Sequence, residues 1–216
     1  TNWKGTILCN GSNHCQWTKC NDGTIPAPIT TLAGNVMRYL TKNIVLYEGR
    51  SIDYPSTFTA CVKLEREFTA NTKSTVILPF ALNETQCATC GTFYQLSNVT
   101  GNAIVFTPVT TTEANKPYVF VPKATGALPA FENVEVQPTS RASLATAVTG
   151  ATMTGSYMTQ SLADAQAKGY YTYYDNSFVT TTGTITISPF RAYVKLDNAA
   201  SAKMGILLGG SATGIC

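Results

Sequence analysis

The hydrophobic pattern is clearest between Ala60 and Leu82, where it predicts two strands around one polar turn. From Ala60 to Phe68 apolar side chains recur at alternate positions with Cys, Lys and Glu between them, as in a strand with one solvated face. Residues 70–74 form the predicted turn. Thr75 to Phe80 is apolar on both parities, which predicts a strand between two layers that ends at an edge or bulge near Pro79.

Two further patterns concern the core. Arg66 interrupts the apolar parity, so it is either a buried, ion-paired residue or the start of a bulge that turns it outward. From Phe190 to Leu196 apolar residues alternate strictly, which predicts a core strand rather than a functional site. We therefore expect one shared core made of Val62, Leu64, Phe68, Val76, Leu78, Phe80, Phe190, Ala192 and Val194.

Short strand patterns separated by Gly, Pro, Asn and Thr continue along the chain, which predicts an all-β fold of the β-sandwich or jelly-roll type. One helix is predicted over residues 161–168, because Ser161 and Asp164 resemble a capping box and Gly169 can end the helix. The candidate strands are Asn43–Glu48, Thr57–Phe68, Thr75–Phe80, Gly91–Leu96, Ala103–Phe106, Tyr118–Pro122, Val134–Gln137, Thr152–Tyr157, Tyr170–Tyr174, Thr184–Ile187 and Phe190–Leu196.

The chain divides by composition into two parts. Residues 1–28 are rich in Cys, Asn, Gly and Thr and lack apolar periodicity, which predicts a loop-rich segment tied by disulfides. Residues 29–216 carry the strand patterns and form the predicted β-sandwich module. Because the chain begins at Thr1, we expect that a leader or an upstream domain has been removed.

Length and charge narrow the possible functions. With 216 residues the chain can bury a full core without disulfides. Charged residues make up 12% of the sequence and the net charge is +3 without a basic run, which argues against nucleic-acid binding. No apolar run approaches the ~20 residues that a bilayer span requires.

Cysteine usage predicts an exported protein. Disulfides are typical of oxidising compartments, and seven cysteines leave one thiol unpaired. Cys87 and Cys90 also have the spacing of a redox motif or half a zinc site, but strand-like residues follow them, and Cys15, Cys20 or His14 would complete a zinc site only at irregular spacing. We expect disulfides and neither a metal nor a cofactor. The disulfide candidates are Cys9, Cys15, Cys20, Cys61, Cys87, Cys90 and Cys216.

Six short motifs occur in one order along residues 44 to 196. They are Glu65–Ala70, Thr75–Phe80, Glu113–Val119, Phe131–Val134, Gly155–Tyr157 and Pro189–Tyr193. Together they resemble a β-rich module near the C-termini of secreted and surface proteins of Bacteroidetes and related gut or fibre-associated bacteria. The resemblance implies an exported, non-enzymatic β-sandwich and transfers no site residue. The sequence departs from it at Lys73 and Ser74, where an aromatic residue is usual, and in its cysteine-rich front end.

Catalysis has weak support in the sequence. His14 is the only histidine and lies in the loop-rich segment. Glu65 and Glu67 share one strand face, which leaves a glycoside hydrolase with paired carboxylates as a remote alternative. Glutamates at this spacing are also common on solvated strand faces, so we expect no catalytic residue.

Binding has better support. Tyr170 and Tyr174 lie on one parity of a predicted strand, and Tyr171 and Tyr173 lie on the other. One pair must therefore face outward, and exposed tyrosines suit sugar rings or a protein partner. Alternatively, the outward pair packs beneath a loop.

The expected function is a non-enzymatic extracellular structural or adhesive module of a bacterial surface protein or assembly. A carbohydrate-binding module that uses the four tyrosines is the alternative. The expected partners are a surface glycan, a surface protein or further copies of this chain. Self-assembly would use strand exchange through Thr1–Asn10 or Met204–Leu208, whose apolar residues could also pack on their own domain.

Overall fold

A computed structural model gives the backbone of residues 7–10, 14–17, 32–33, 36–37 and 42, and the complete residues 43–139, 144–198 and 201–209. Strands dominate, which confirms the predicted all-β class. The strands are β1 (Ile7–Asn10), β2 (His14–Trp17), β3 (Leu32–Ala33), β4 (Val36–Met37), β5 (Lys42–Tyr47), β6 (Phe58–Glu65), β7 (Ser74–Ile77), β8 (Gly91–Thr100), β9 (Ala103–Val109), β10 (Pro117–Pro122), β11 (Phe131–Val136), β12 (Ala145–Val148), β13 (Ala151–Ser156), β14 (Gln160–Leu162), β15 (Tyr170–Tyr174), β16 (Ser177–Val179), β17 (Ile185–Ile187), β18 (Arg191–Leu196) and β19 (Lys203–Leu208).

The helix lies elsewhere than predicted. The described residues contain one helix, α1 (Glu84–Cys90), and its N-terminus carries a capping box between Asn83 and Gln86. The prediction of a helix over residues 161–168 is wrong. Gln160–Leu162 forms β14, and Asp164 adopts a left-handed φ of +55°, which is incompatible with a helix beginning there.

A curled ten-stranded sheet is the main element, in the order β12-β13-β18-β15-β16-β19-β9-β8-β10-β7. Its two halves are antiparallel, and the parallel pair β19–β9 joins them. The curl brings β7 towards β18, where the Ile77 N–H donates to the Phe190 carbonyl at 3.2 Å. The halves therefore face each other and enclose apolar side chains.

A second sheet, in the order β11-β6-β5, adds another layer. It packs on β7, β10 and β8 through a large apolar core that includes Leu64, Phe80 and Phe120. A second core fills the curl of the ten-stranded sheet and includes Phe106, Phe178 and Val194. Strand β10 is buried on both faces, because Tyr118 and Phe120 belong to the first core and Val119 to the second.

The predicted inward residues are all buried, but they do not share one core. Seven of the nine lie in the first core, whereas Ala192 and Val194 lie in the second. The prediction of a single core is therefore wrong, although the strand parities behind it are confirmed. Alternation shows which face of a strand is buried, and it carries no information on which layer covers that face.

The C-terminal apolar segment is a central strand of its own sheet. Strand β19 pairs with β16 on one side and with β9 on the other. Lys203 and Met204 pair with β16, and Gly205–Leu208 pairs with β9, so this apolar segment is part of the sheet of its own chain. Within the segment Thr1–Asn10, the structure describes Ile7–Asn10, which pairs with β2.

Replacing Phe80 by alanine is expected to lower the free energy of unfolding by about 3 to 5 kcal/mol, because a fully buried ring leaves a cavity. Phe80 is 0% exposed and packs against Phe131 with ring centroids 5.4 Å apart. Urea denaturation measures the change. Met158→Ala is the control, because Met158 is 55% exposed and truncation of such a surface side chain costs under about 0.5 kcal/mol. A loss below about 1 kcal/mol for Phe80→Ala would contradict the burial of this ring.

Candidate functional site

A groove of about 450 Å³ opens beside β15, β17 and β18. We call it the Arg191 groove. Its lining combines one guanidinium, two tyrosines, several hydroxyl groups and a few apolar side chains, namely Thr75, Thr172, Tyr173, Tyr174, Val179, Thr186, Ile187, Ser188, Arg191 and Ala192. Such a mixture of flat apolar surface and polar groups is typical of small-ligand sites.

The strand register explains why these residues meet. Thr172 of β15 lies opposite Tyr193 of β18, so the face that carries Thr172 and Tyr174 also carries Arg191. The pair β14–β17 covers part of this face, where Ile185 and Ile187 pack with Tyr170 and Tyr193. The groove is the neighbouring part of the face.

The four tyrosines divide three ways. Tyr171 is buried in the second core, and Tyr173 packs against that core while lining the groove. Tyr170 lies under β14–β17, with its ring 5.6 Å from that of Tyr193. Tyr174 is 70% exposed. The outward pair of the sequence prediction therefore contains one covered and one exposed ring, and only Tyr173 and Tyr174 border the groove.

Phe190 sets the position of Arg191. It is a bulky residue with a left-handed φ of +64°, which costs free energy of order 1 to 3 kcal/mol unless the surroundings hold it in place. Its N–H donates to the Ser156 carbonyl at 2.7 Å, and its ring is fully buried against Tyr157. Rigid packing of this residue fixes the backbone from which Arg191 extends.

Arg191 belongs to a charge cluster that reaches into the protein. Its Nε donates to Oε1 of Glu48, and the same oxygen lies 3.6 Å from Nε of Arg66. The Arg66 side chain is 2% exposed, donates from Nη1 to the Thr75 carbonyl at 2.8 Å and stacks 4.5 Å from the Phe68 ring. Of the two readings of Arg66, the buried ion-paired residue is confirmed.

Two guanidinium groups therefore share one carboxylate. Burial, and to a smaller extent the charge of Arg191, lower the pKa of Arg66 to about 9, while Glu48 acts in the opposite direction. Even so, Arg66 is protonated at neutral pH. Among the described residues the cluster of Glu48, Arg66 and Arg191 carries one excess positive charge. Arg191 is the most exposed member of the cluster, with 38% of its side chain accessible to solvent.

The CxxC motif forms the C-terminal part of α1. Cys87 and Cys90 are free, buried thiols, so their assignment as disulfide candidates is wrong in this structure. Burial raises the pKa of both thiols, that of Cys90 to about 12. A high pKa disfavours the thiolate that redox chemistry needs. Both side chains instead fill the first core.

The other cysteines give a partial picture. The Cys61 sulfur is disulfide-bonded. The β1–β2 register places the backbone of Cys9 opposite that of Cys15. Cys20 and Cys216 lie outside the described residues, as does the predicted boundary at residue 28. The described residues therefore do not show a disulfide-tied N-terminal segment.

The two carboxylates considered for hydrolysis lie at and just beyond the end of β6. Glu65 forms an ion pair with Lys63 at 2.6 Å, and Glu67 lies beyond the end of β6. His14 is described only in its backbone. In the part of the chain described with side chains, no group of three or more His, Cys, Asp or Glu residues could hold a metal ion. The described helix is also too short to cross a membrane.

The fold and the groove define an all-β protein of three strand layers with a polar, aromatic-rimmed groove on one outer face. The chain matches no protein-family model, no curated protein and no solved structure at a significant level. Its resemblance to modules of bacterial surface proteins therefore stays a prediction.

Arg191 is the residue that the sequence prediction missed. The alternation from Phe190 to Leu196 assigned this strand to the core, and its inward residues are indeed buried. The outward parity carries Arg191, Tyr193 and Lys195, and a guanidinium beside aromatic residues on one strand face could have marked a binding surface. The partner Glu48 lies 143 residues away and could not be inferred.

Proposed function

We propose that this protein is a non-enzymatic extracellular adhesive module that binds glycans in the Arg191 groove. The observation that carries the proposal is the exposed Tyr174 ring at the rim of a groove that also presents hydroxyl groups and a guanidinium. The extracellular setting is supported by the resemblance to bacterial surface modules. This proposal combines the expected adhesive role with the carbohydrate-binding alternative.

Sugar rings present an apolar face of C–H groups and an edge of hydroxyl groups. An exposed tyrosine offers a flat ring for the first and a phenol for the second. The hydroxyl groups of Thr172, Thr186 and Ser188 can each donate and accept a hydrogen bond. At about 450 Å³ the groove is within the usual size range of small-ligand sites, and we expect it to hold one or two sugar residues of a longer chain.

A rigid floor favours binding of this kind, because little conformational entropy is lost when the ligand arrives. Strands β15, β17 and β18 border the groove. The second core packs on one face of β15 and β18, and the small cluster around Ile185 and Ile187 packs on the other face. The Lys73 side chain also contacts Oδ1 of Asn176 at 2.5 Å, which ties the turn after Tyr174 to the turn before β7.

A glycan array probed with the purified protein tests the proposal, with Tyr174→Ala as the diagnostic variant. We expect this variant to lose about tenfold in affinity, equivalent to ~1.4 kcal/mol, because the ring provides the stacking surface. Tyr47→Ala is the matched control, since Tyr47 is an exposed tyrosine outside the groove and its removal should leave binding unchanged. Absence of any bound glycan, or equal losses in both variants, would overturn the proposal and favour a purely structural role.

A further inference from the structure

We propose that the Arg191 groove selects acidic glycans, in which a sugar carboxylate pairs with the guanidinium of Arg191. This inference rests on the proposed function, because it names the class of sugar bound at the same site. The cluster of Glu48, Arg66 and Arg191 is its physical basis.

The first argument is the charge balance of that cluster. Arg66 and Arg191 both pair with Glu48, and the described residues offer neither of them a second carboxylate. Lys73, in the turn before β7, contacts the turn that holds Asp175, and the two side chains carry opposite charges. The floor of the groove is thus left with one excess positive charge. A ligand with one carboxylate would neutralise it, whereas a neutral sugar would leave it uncompensated.

The second argument concerns free hydrogen-bond donors. A guanidinium presents five N–H groups in a planar fork. Arg191 uses Nε for Glu48, and its two terminal nitrogens have no partner among the described residues. A carboxylate can accept two parallel N–H bonds from such a fork, which gives both strength and direction.

The two arginines have different roles in this scheme. Arg66 is covered by the Phe68 ring and donates to the Thr75 carbonyl, so it cannot reach a ligand. Its buried charge holds Glu48, which limits how fully Glu48 neutralises Arg191. Arg191 lines the groove and is 38% exposed, so it is the residue that contacts the ligand.

Tyr174 and Arg191 would then divide recognition between them. The tyrosine ring binds the apolar face of any suitable sugar, and the guanidinium discriminates by charge. Truncation of Tyr174 should weaken the binding of acidic and neutral glycans alike. Substitution of Arg191 should weaken the binding of acidic glycans only. This difference separates selectivity from binding itself.

The test uses an array that carries acidic glycans beside their neutral counterparts. Suitable pairs are galacturonate oligomers with their methyl esters, and sialylated with desialylated lactosamine; sulfated oligosaccharides form a third arm. The wild-type protein should bind at least one acidic member about tenfold more tightly than its neutral counterpart at low salt. The preference should shrink as ionic strength rises, because salt screens the exposed charge.

Arg191→Gln should abolish the preference and keep the weaker, Tyr174-dependent binding of the neutral sugar. Arg191→Lys should keep part of it, since the charge remains but the planar fork is lost. Lys195→Gln is the matched control, because Lys195 is an exposed cation on the same strand outside the groove lining. Unfolding curves of all three variants show that each is folded.

Three outcomes would overturn the inference. Equal binding of acidic and neutral sugars would do so while leaving the proposed glycan-binding function intact. Equal or tighter binding of sulfated sugars would show that charge alone, and not the carboxylate fork, is recognised. Failure to bind any glycan would remove both the inference and the proposed function.

Discussion

Replacing Gly205 by proline is expected to unfold the protein or to lower its free energy of unfolding by about 3 kcal/mol or more. Gly205 lies in β19, the strand that joins the two halves of the ten-stranded sheet. Its N–H donates to the Asn102 carbonyl at 2.7 Å, across the parallel seam with β9. Proline has no N–H to donate and is poorly tolerated in a central strand.

Gly205→Ala is the matched control for this variant. A Cβ at this position would lie 3.6 Å from the Asn102 carbonyl oxygen and 3.8 Å from the Ala103 Cβ, which is ordinary contact. The alanine variant keeps the N–H and should change stability by less than about 1 kcal/mol. Circular dichroism and urea denaturation distinguish the two results. A proline variant as stable as the alanine variant would show that the pairing of β19 with β9 does not stabilise the sheet.

Replacing Gly91 by alanine is expected to destabilise the fold by at least about 3 kcal/mol, because steric overlap and backbone strain add at one position. Gly91 follows α1 and begins β8 with a φ of +151°. A Cβ there would lie 2.2 Å from the Val121 carbonyl oxygen and 2.9 Å from the Pro122 Cα. Both are backbone atoms of β10, so neither can move aside alone.

Gly101→Ala separates the two causes. Gly101 also has a positive φ, +51°, but a Cβ there would meet nothing within 4 Å. It should cost about 1 to 2 kcal/mol, from backbone strain alone. The difference between the variants, measured by urea denaturation, reports the overlap with β10. Equal losses would show that β10 does not approach Gly91 as closely as described.

The sequence predicted the strands well where alternation or β-branched runs marked them. The Tyr170–Tyr174 strand matches β15 at both ends, and the continuous apolar run after Thr75 is buried on both parities. Strands β12, β14 and β16 were missed, because they are three or four residues long and too short for a pattern to emerge. The apolar residues from Met204 onward were recognised, but not as a central strand.

The helix error has a clear physical reason. The capping-box-like residues Ser161 and Asp164 favoured a helix over residues 161–168, whereas pairing of β14 with β17 and the left-handed φ of Asp164 decide the local structure. The true helix has the stronger local signal in Asn83 and Gln86, whose reciprocal capping satisfies two backbone N–H groups. Local sequence signals are a weak guide where strand pairing in the tertiary fold competes with them.

The candidate site was only partly predictable. The tyrosine cluster drew attention to β15, and its alternation correctly implied that some rings face outward. Which ring is exposed depends on β14–β17, which covers Tyr170 and leaves Tyr174 free. The Glu48, Arg66 and Arg191 cluster draws on β18 and on the chain at the ends of β5 and β6. Only the tertiary fold brings these segments together.

The parallel pairing of β19 with β9 also affects when the chain can complete its fold. Gly205 pairs with Ala103, roughly a hundred residues earlier, and contacts between such distant residues slow folding because a long loop must close first. During synthesis β9 is made long before β19, so the edge of β9 that pairs with β19 has no partner until then. Until β19 pairs with it, the unpaired edge of β9 can pair with strands of other chains, so an incompletely synthesised chain is prone to aggregation.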